Sequence, residues 1–214
     1  SVCCLLACMA ITQAARRAML DEALEQGGER LAEMSGRFLS ETHIDKWREP
    51  FERAVREGPP TGEPQPERHG STTHVSVIDE SGLACAISSS NGEGCGYVVP
   101  GMGAMANNFL GEEDLHPRGF HSQPSGTRLS SMMCPTVVLR EGSPVLALGT
   151  GGSNRIRTVI LQALVQHLFR KLPVYDAVVG PRIHYEGNVL YVEARGPGRS
   201  MPPSAMEALR ARVR

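Results

Sequence analysis

The chain reads as an α+β protein, and three observations carry that reading. Apolar residues recur at helical spacing up to Leu39 and again between Arg155 and Lys171. Between those stretches the period changes to two, and the strand-like runs come in pairs joined by short turns rich in Gly, Asp, Ser, Asn and Pro. Antiparallel strand pairs with helices packed outside them are the layered arrangement this pattern predicts.

Residues 2–39 predict two helices: an apolar first stretch, then Ala14, Ala15, Met19, Leu20, Ala23 and Leu24, then Leu31, Met34 and Leu39, divided at Gly27-Gly28. The stretch from Val2 to Ile11 is shorter than the roughly 20 apolar residues that cross a bilayer, so a buried helix is expected and no membrane segment. From Glu57 to His69 the sequence is rich in Pro, Gly and charge, which predicts an exposed linker whose end is open to cleavage. Past it, Val75, Val77 and Asp79 alternate with His74, Ser76 and Ile78; Asp79-Glu80-Ser81-Gly82 supplies a turn, and Leu83 to Ser89 returns as the second strand. A second hairpin is predicted from Thr136–Arg140, the turn Glu141 to Pro144, and Val145–Leu148. Ile156, Val159, Ile160, Ala163, Leu164 and Leu168 place a helix over Arg155 to Lys171, and Arg170 and Lys171 suit its C-terminal dipole. A short helix over Val174 to Val179 and a hairpin turning at Glu186-Gly187-Asn188 follow, and the chain closes in a helical pattern.

With 214 residues and a net charge of −1, one domain with a full core is the default, and nucleic acid or an anionic membrane has no electrostatic reason to be the partner. The six cysteines show neither metal-ligand spacing nor the density of a disulfide scaffold; buried small hydrophobes are expected. His74, His116, His121 and His184 lack zinc-site spacing and are expected to pack or support. The chain begins with Ser1 inside an apolar run and ends within a helical segment, which reads as truncation at both ends, and no secretion signal is legible.

The chemistry centres on Gly70-Ser71-Thr72-Thr73-His74-Val75-Ser76-Val77, small residues leading from the linker into a strand. A threonine hydroxyl is a weak nucleophile, and breaking the bond between Ser71 and Thr72 would free an α-amine a few bonds away to act as its base. Such an amine titrates near pH 8, which suits general base work.

Further along stand Ser88-Ser89-Ser90-Asn91-Gly92-Glu93-Gly94, Asn107-Asn108, Arg128 to Pro135 with Ser130-Ser131, and Gly149-Thr150-Gly151-Gly152-Ser153-Asn154-Arg155-Ile156. In this order and spacing they resemble the small subunit of the γ-glutamyltransferase family, from about Gly70 to about Glu193. Residues 1–71 are similar to the end of that family's large subunit with its linker, and residues 72–214 to most of the small subunit. The resemblance implies an N-terminal-nucleophile hydrolase fold, a four-layer αββα arrangement with stacked, mainly antiparallel sheets, here incomplete.

It also implies roles. Thr72 is the nucleophile; Ser90, serine in place of the usual threonine, hydrogen-bonds it; the backbone N–H groups of Gly152 and Ser153 hold the oxyanion before the helix. Ser130 and Ser131 bind the α-carboxylate of the glutamyl group, and Glu112 its α-amine. Asn91 is either a substrate contact or a turn residue, because the family's asparagine falls two residues past the hydroxyl, where this chain has Gly92. Phe109 stands where the family often has glutamine, and the family's carboxylate-binding arginine lies upstream of this chain. The implied reaction is transfer of a γ-glutamyl group, for example from glutathione, to water or to an amino acid or peptide amine, by a heterodimer of self-cleaved subunits with no metal or organic cofactor. The resemblance implies a periplasmic or extracellular location, with the cytoplasm the alternative where no upstream signal exists. An amidase or acylase with another acyl group, and an inert assembly module, remain open readings.

Overall fold

The structure is a computed structural model that describes residues 1–26, 28–62, 72–116, 119–126, 128–193 and 200–213. In chain order the helices and strands begin with α1 (Val2–Gln26), α2 (Gly28–Phe38), α3 (Glu41–Lys46) and α4 (Arg48–Glu57). Then come β1 (Thr72–Ile78), β2 (Ala84–Ser90), β3 (Thr136–Arg140), β4 (Ser143–Leu148) and α5 (Ile156–Leu164). Last are α6 (Val174–Val179), β5 (Ile183–Glu186), β6 (Val189–Val192) and α7 (Pro203–Arg210). The strands form three antiparallel pairs, β1–β2, β3–β4 and β5–β6. The chain divides into two compact units, Ser1–Gln65 with Arg170–Arg214, and Pro66–Phe169.

In the first unit α1 is the core. Leu6 and Ala7 are fully buried, with Met9, Ala10 and Ala15 alongside, and the helix packs against α2, α4, β5 and α7. Gln13, also buried, donates from Nε2 to the carbonyl of Tyr185, so the polar group entering this core is paired. The helix runs to Gln26, as the division at Gly27-Gly28 predicts; Val2–Met19 has the length and composition of a membrane span, and residues along it, Leu6, Ala7, Met9 and Ala10 among them, are buried within the unit.

The linker expectation needs correcting at its start. Gly58–Gly62 is docked: Pro59 is buried, the Tyr185 hydroxyl donates to the Pro60 carbonyl, and the Gly62 N–H donates to Asn188 O at 2.7 Å. Burial raises the Tyr185 phenol above its ordinary pKa, partly offset by Arg17. The end of the linker and Gly70-Ser71 lie outside the described residues, as does Gly27. Helices α3 and α4 go beyond the sequence reading: α3 buries no residue, and α4 turns Phe51, Ala54 and Val55 to one side, against α1, with charge over the rest. The end of α3 is fixed locally, Ser40 accepting from the His43 N–H, and that of α4 from far along the chain, Arg212 donating to Val55 O at 3.0 Å.

In the second unit β4 lies beside both β1 and β2. The alternation along β1 is as expected, but its sense is the unusual one. Thr72 and His74 face inward, while Val75 and Val77, with Ile87 on β2, are more than half exposed. The β3–β4 turn is tighter than expected: Glu141 and Gly142 both have positive φ, a two-residue turn of the hairpin type. A register shift between Val138 and Leu139 accommodates Pro144, which pairs with Leu139 and has no N–H to give the ladder. The predicted long helix is an α-helix only over α5; it enters through a tight turn at Ser153–Arg155 and leaves through a wide one at Val165–Phe169. Its polar inner positions are satisfied locally, with Thr158 Oγ1 donating to Arg155 O at 2.9 Å and Gln162 Nε2 to Thr158 O at 2.8 Å.

The cysteines depart from expectation. Cys3 is buried, but Cys4, Cys85 and Cys95 are exposed, and all six are free thiols; Cys85 is exposed because it shares the outward face of the hairpin with its partner Val77. His116 and His184 are buried, the latter 3.2 Å from Glu186.

The β1–β2 turn is held by Asp79, whose carboxylate accepts from Ser81 Oγ at 2.7 Å and from Leu83 N at 2.8 Å. These bonds hold its pKa below the ordinary value. A group depressed in the folded state stabilises it above the unfolded pKa, near 4, and that contribution is lost as pH falls through the folded value. Thermal melts of wild type and Asp79→Ala are therefore expected to differ at pH 7, with wild type higher, and to converge as the carboxyl protonates below about pH 4.

Candidate active site

The antiparallel register of β1 and β2 pairs Thr72 with Ser90, Thr73 with Ser89 and His74 with Ser88. The first residue of one strand thus lies opposite the last of the other, and small hydroxyl residues on β2 leave room for contact. Thr72 Oγ1 donates to Ser90 Oγ at 3.2 Å, and Ser90 Oγ also accepts the Gly92 N–H at 3.0 Å. Thr72 and Ser90 are both half-buried.

The glycine turn before α5 closes on this pair. A Cβ at Gly151 would lie 2.6 Å from Thr72 O and 3.1 Å from Thr72 Cβ, so the turn packs directly on the threonine backbone. Gly152 has φ 131°, with open space where a side chain would project, and caps the turn Ser153–Arg155 through its carbonyl, which accepts from Arg155 N at 3.1 Å. Ser153 has φ 50°, a left-handed conformation that costs a non-glycine residue about 1 kcal/mol. The turn that resemblance assigns to Gly152 and Ser153 therefore includes Gly151 as its closest approach to Thr72.

His74 is fixed and not poised as a base. Its ring nitrogens lie 2.8 Å from Ser88 Oγ and 2.7 Å from Ser76 Oγ, and the ring occupies the space where a Gly149 side chain would be.

A loop cluster adjoins Ser90. Glu112 Oε1 and Asn108 Oδ1 both accept the Glu93 N–H, at 3.1 and 2.8 Å, and Gly92, at φ 64°, leaves no room for a side chain beside them. Asn91 is a turn residue here: its side-chain amide donates to Met105 O at 3.2 Å, and its carbonyl accepts the amides of Gly94 and Asn108. The serine pair stands apart. Ser131 Oγ accepts the Met133 N–H at 3.1 Å, and among the described residues no hydrogen bond joins Ser130 or Ser131 to Thr72, Ser90 or Glu112. Arg157 on α5 reaches this loop, with Nη2 4.0 Å from Met132 Sδ. Among the described residues no group of three or more His, Cys, Asp or Glu side chains converges as metal ligands do.

Gly151, Gly92, Gly149 and Asn108 stand in the motifs quoted from the sequence, but sequence reasoning gives none of them a role of its own. The glycines matter through side chains they lack, and only the register that brings two loops together exposes that. Asn108 carried a usable signal as the second half of the Asn107-Asn108 pair.

A strand-leading threonine beside a glycine-lined helix entry, on small antiparallel ladders with helices, defines the α+β class of N-terminal-nucleophile hydrolases. Solved structures of that class match this chain: gamma-glutamyltranspeptidase from Helicobacter pylori, with TM-score 0.56 and 26% identity over 64% of this chain and 80% of that one, and the Pseudomonas nitroreducens enzyme complexed with L-DON, with TM-score 0.54 and 29% identity over 64% and 78%. The profile of the gamma-glutamyltranspeptidase family matches residues 3–214, and the chain belongs to that family. Among curated relatives, the acylase ACY 1 proenzyme of Pseudomonas sp. strain SE83 is 36% identical over 143 residues, 66% of this chain and 25% of the relative. The glutathione hydrolase proenzyme of Bacillus subtilis strain 168 is 31% identical over 124 residues, 57% and 21%. The chain thus spans about a quarter of the length of the curated relatives it matches.

The packing makes a direct prediction. Gly151→Ala drives a methyl into the Thr72 backbone and is expected to lower stability by about 1–3 kcal/mol, whereas Ser153→Gly removes a left-handed penalty and is expected to cost no stability. Melting temperatures of the two variants beside wild type check this.

Proposed function

We propose that this chain carries the nucleophile of a self-processing γ-glutamyl acyltransferase or hydrolase, of the kind named glutathione hydrolase among its relatives. The observation that carries the reading is the hydroxyl pair Thr72–Ser90 at a strand head, closed in by the Gly151-Gly152 turn. Hydrolysis of the Ser71–Thr72 bond consumes one water and leaves Thr72 with a free α-amine, giving two chains that remain together as a heterodimer. In catalysis that amine takes the Oγ1 proton as Oγ1 attacks the γ-carbonyl of the donor. The N–H groups of Gly152 and Ser153 stabilise the resulting oxyanion. The carbonyl re-forms as the donor's amine leaves with the proton, and the acyl group remains as an ester on Thr72. Water or an acceptor amine then attacks the ester, the acyl group departs, and the threonine hydroxyl is restored. Ser90 orients Oγ1 by accepting its hydrogen bond in the resting state.

Ser130 and Ser131 serve the donor carboxylate in this reading, together with a cation from the rest of the protein. The apolar outward face at Val75, Val77 and Ile87 is the kind of surface that a further layer covers, in keeping with sheets completed by more polypeptide.

A second reading, an acylase using a donor other than a γ-glutamyl compound, is favoured by two specific facts: the acylase relatives at 36% identity and the aromatic Phe109 in the donor-recognition segment.

Intact-mass analysis and N-terminal sequencing of the full-length protein after incubation at neutral pH provide the test. Wild type is expected to yield a chain beginning at Thr72, Thr72→Ala none, and Ser90→Ala a slower cut. An uncut wild type contradicts the free-amine mechanism.

A further inference from the structure

The glycine turn before α5 rests on β1 at two points, and only one of them is Thr72. A Cβ at Gly151 would lie 2.6 Å from the Thr72 carbonyl oxygen, and a Cβ at Gly149 would collide with Cε1, Nδ1 and Nε2 of the His74 ring. Residues 72 and 74 share the inner face of the strand, and 151 and 149 pass them in the opposite sense, so the two contacts are matched in spacing. Neither glycine has a positive φ. The backbone at both positions is open to L-residues, and it is the neighbour alone that excludes a side chain. At Gly149 that neighbour is an imidazole held on both sides. Nδ1 lies 2.8 Å from Oγ of Ser88, the residue paired with His74 across the ladder, and Nε2 lies 2.7 Å from Ser76 Oγ, two residues along the same strand. Turning the ring breaks both hydrogen bonds at once, so it presents a fixed surface to Gly149.

We propose that His74 is a positioning residue for the oxyanion turn: its pinned ring fills the side-chain space at Gly149, sets where the Gly149–Ser153 segment sits along β1, and so sets how far the Gly152 and Ser153 amides stand from Thr72 Oγ1. The catalytic half of this rests on the acyl-transfer reading. A single contact at Thr72 leaves the segment free to pivot, and a second contact two residues along removes that freedom. The segment depends on such support, because Ser153 holds a left-handed φ of 50°, a conformation that persists only where its surroundings impose it. A displacement of about 1 Å at a reacting centre can cost about 100-fold in rate, which is the scale on which a ring acting through a glycine two residues from Gly151 matters.

The test is a double-mutant cycle on the full-length protein with His74→Ala, Gly149→Ala and the two combined. It reads kcat and KM for γ-glutamyl-p-nitroanilide per chain cut before Thr72, and hydrogen exchange at the Arg155 N–H, which donates to Gly152 O at 3.1 Å. Each single variant is expected to lower kcat by about 10- to 100-fold with KM little changed, and to speed exchange at Arg155. In the combined variant the new methyl enters space the ring has left, and kcat is expected to recover by about 10-fold over Gly149→Ala, with amide protection returning in step. Ser76→Ala with Ser88→Ala keeps the ring but frees it to turn, and is expected to fall between wild type and His74→Ala in both readouts; it carries the test if a single variant fails to fold, and wild-type values there overturn the pinning. Losses that simply multiply in the combined variant overturn the proposal, as does a His74→Ala enzyme with raised KM and unchanged kcat. If wild type turns over no γ-glutamyl anilide while exchange at Arg155 still shows the recovery, the packing role stands and the acyl-transfer reading, with the catalytic half built on it, falls.

Discussion

The register of one hairpin decides what this chain can do. Seven residue pairs join β1 to β2, and they place Thr72 opposite Ser90 at the open end. A slip by one residue would turn Thr72 to the outer face and replace it with Thr73, since side chains alternate along a strand. The turn at Asp79, bonded by Ser81 and Leu83, fixes the count from the closed end, so a polar turn on the surface sets the geometry of a hydroxyl pair at the far end of the ladder.

The inner face of that hairpin is polar and small, and the outer face is apolar and exposed. This inverts the usual economy of a sheet, where the apolar face is buried. Thr72, His74, Ser88 and Ser90 face inward and are satisfied by one another, and glycines at 149 and 151 let the next turn approach them at backbone distance. Fixed donors close to a weak nucleophile are the arrangement that electrostatic catalysis requires. Ser153 holds a left-handed conformation in the same turn, a local cost at the helix entry where the oxyanion would be held.

Much of this was legible in the residues. The helices α1, α2, α5 and α6 and all three hairpins follow from period and turn chemistry, and Ser90 follows from the resemblance, which puts a hydroxyl residue at that count on the return strand. Helix α3 was not legible, because it is short, buries no residue and is held by its cap; α4 has an apolar edge at Phe51, Ala54 and Val55 that is too narrow among its charges to have been read. The tight turn at Glu141-Gly142 was read two residues too long because Pro144 resembles a turn residue, whereas here it sits at a ladder irregularity. Within the site, the strand-leading position pointed to Thr72, and the family resemblance to Ser90 and Glu112. The roles of Gly92 and Gly151 lie in space left empty for a neighbour, and the sequence leaves Asn91 between a substrate contact and a turn residue because an asparagine's hydrogen bonds to backbone leave no trace in it.

The central claim is that Thr72 Oγ1 carries the acyl group. Its most direct test is to quench the full-length, processed protein with acid during turnover of a γ-glutamyl anilide and map the modified peptide. The account predicts a γ-glutamyl ester on the peptide that begins at Thr72, and no adduct in Thr72→Ala. An adduct on any other residue, or turnover that survives Thr72→Ala, would contradict it.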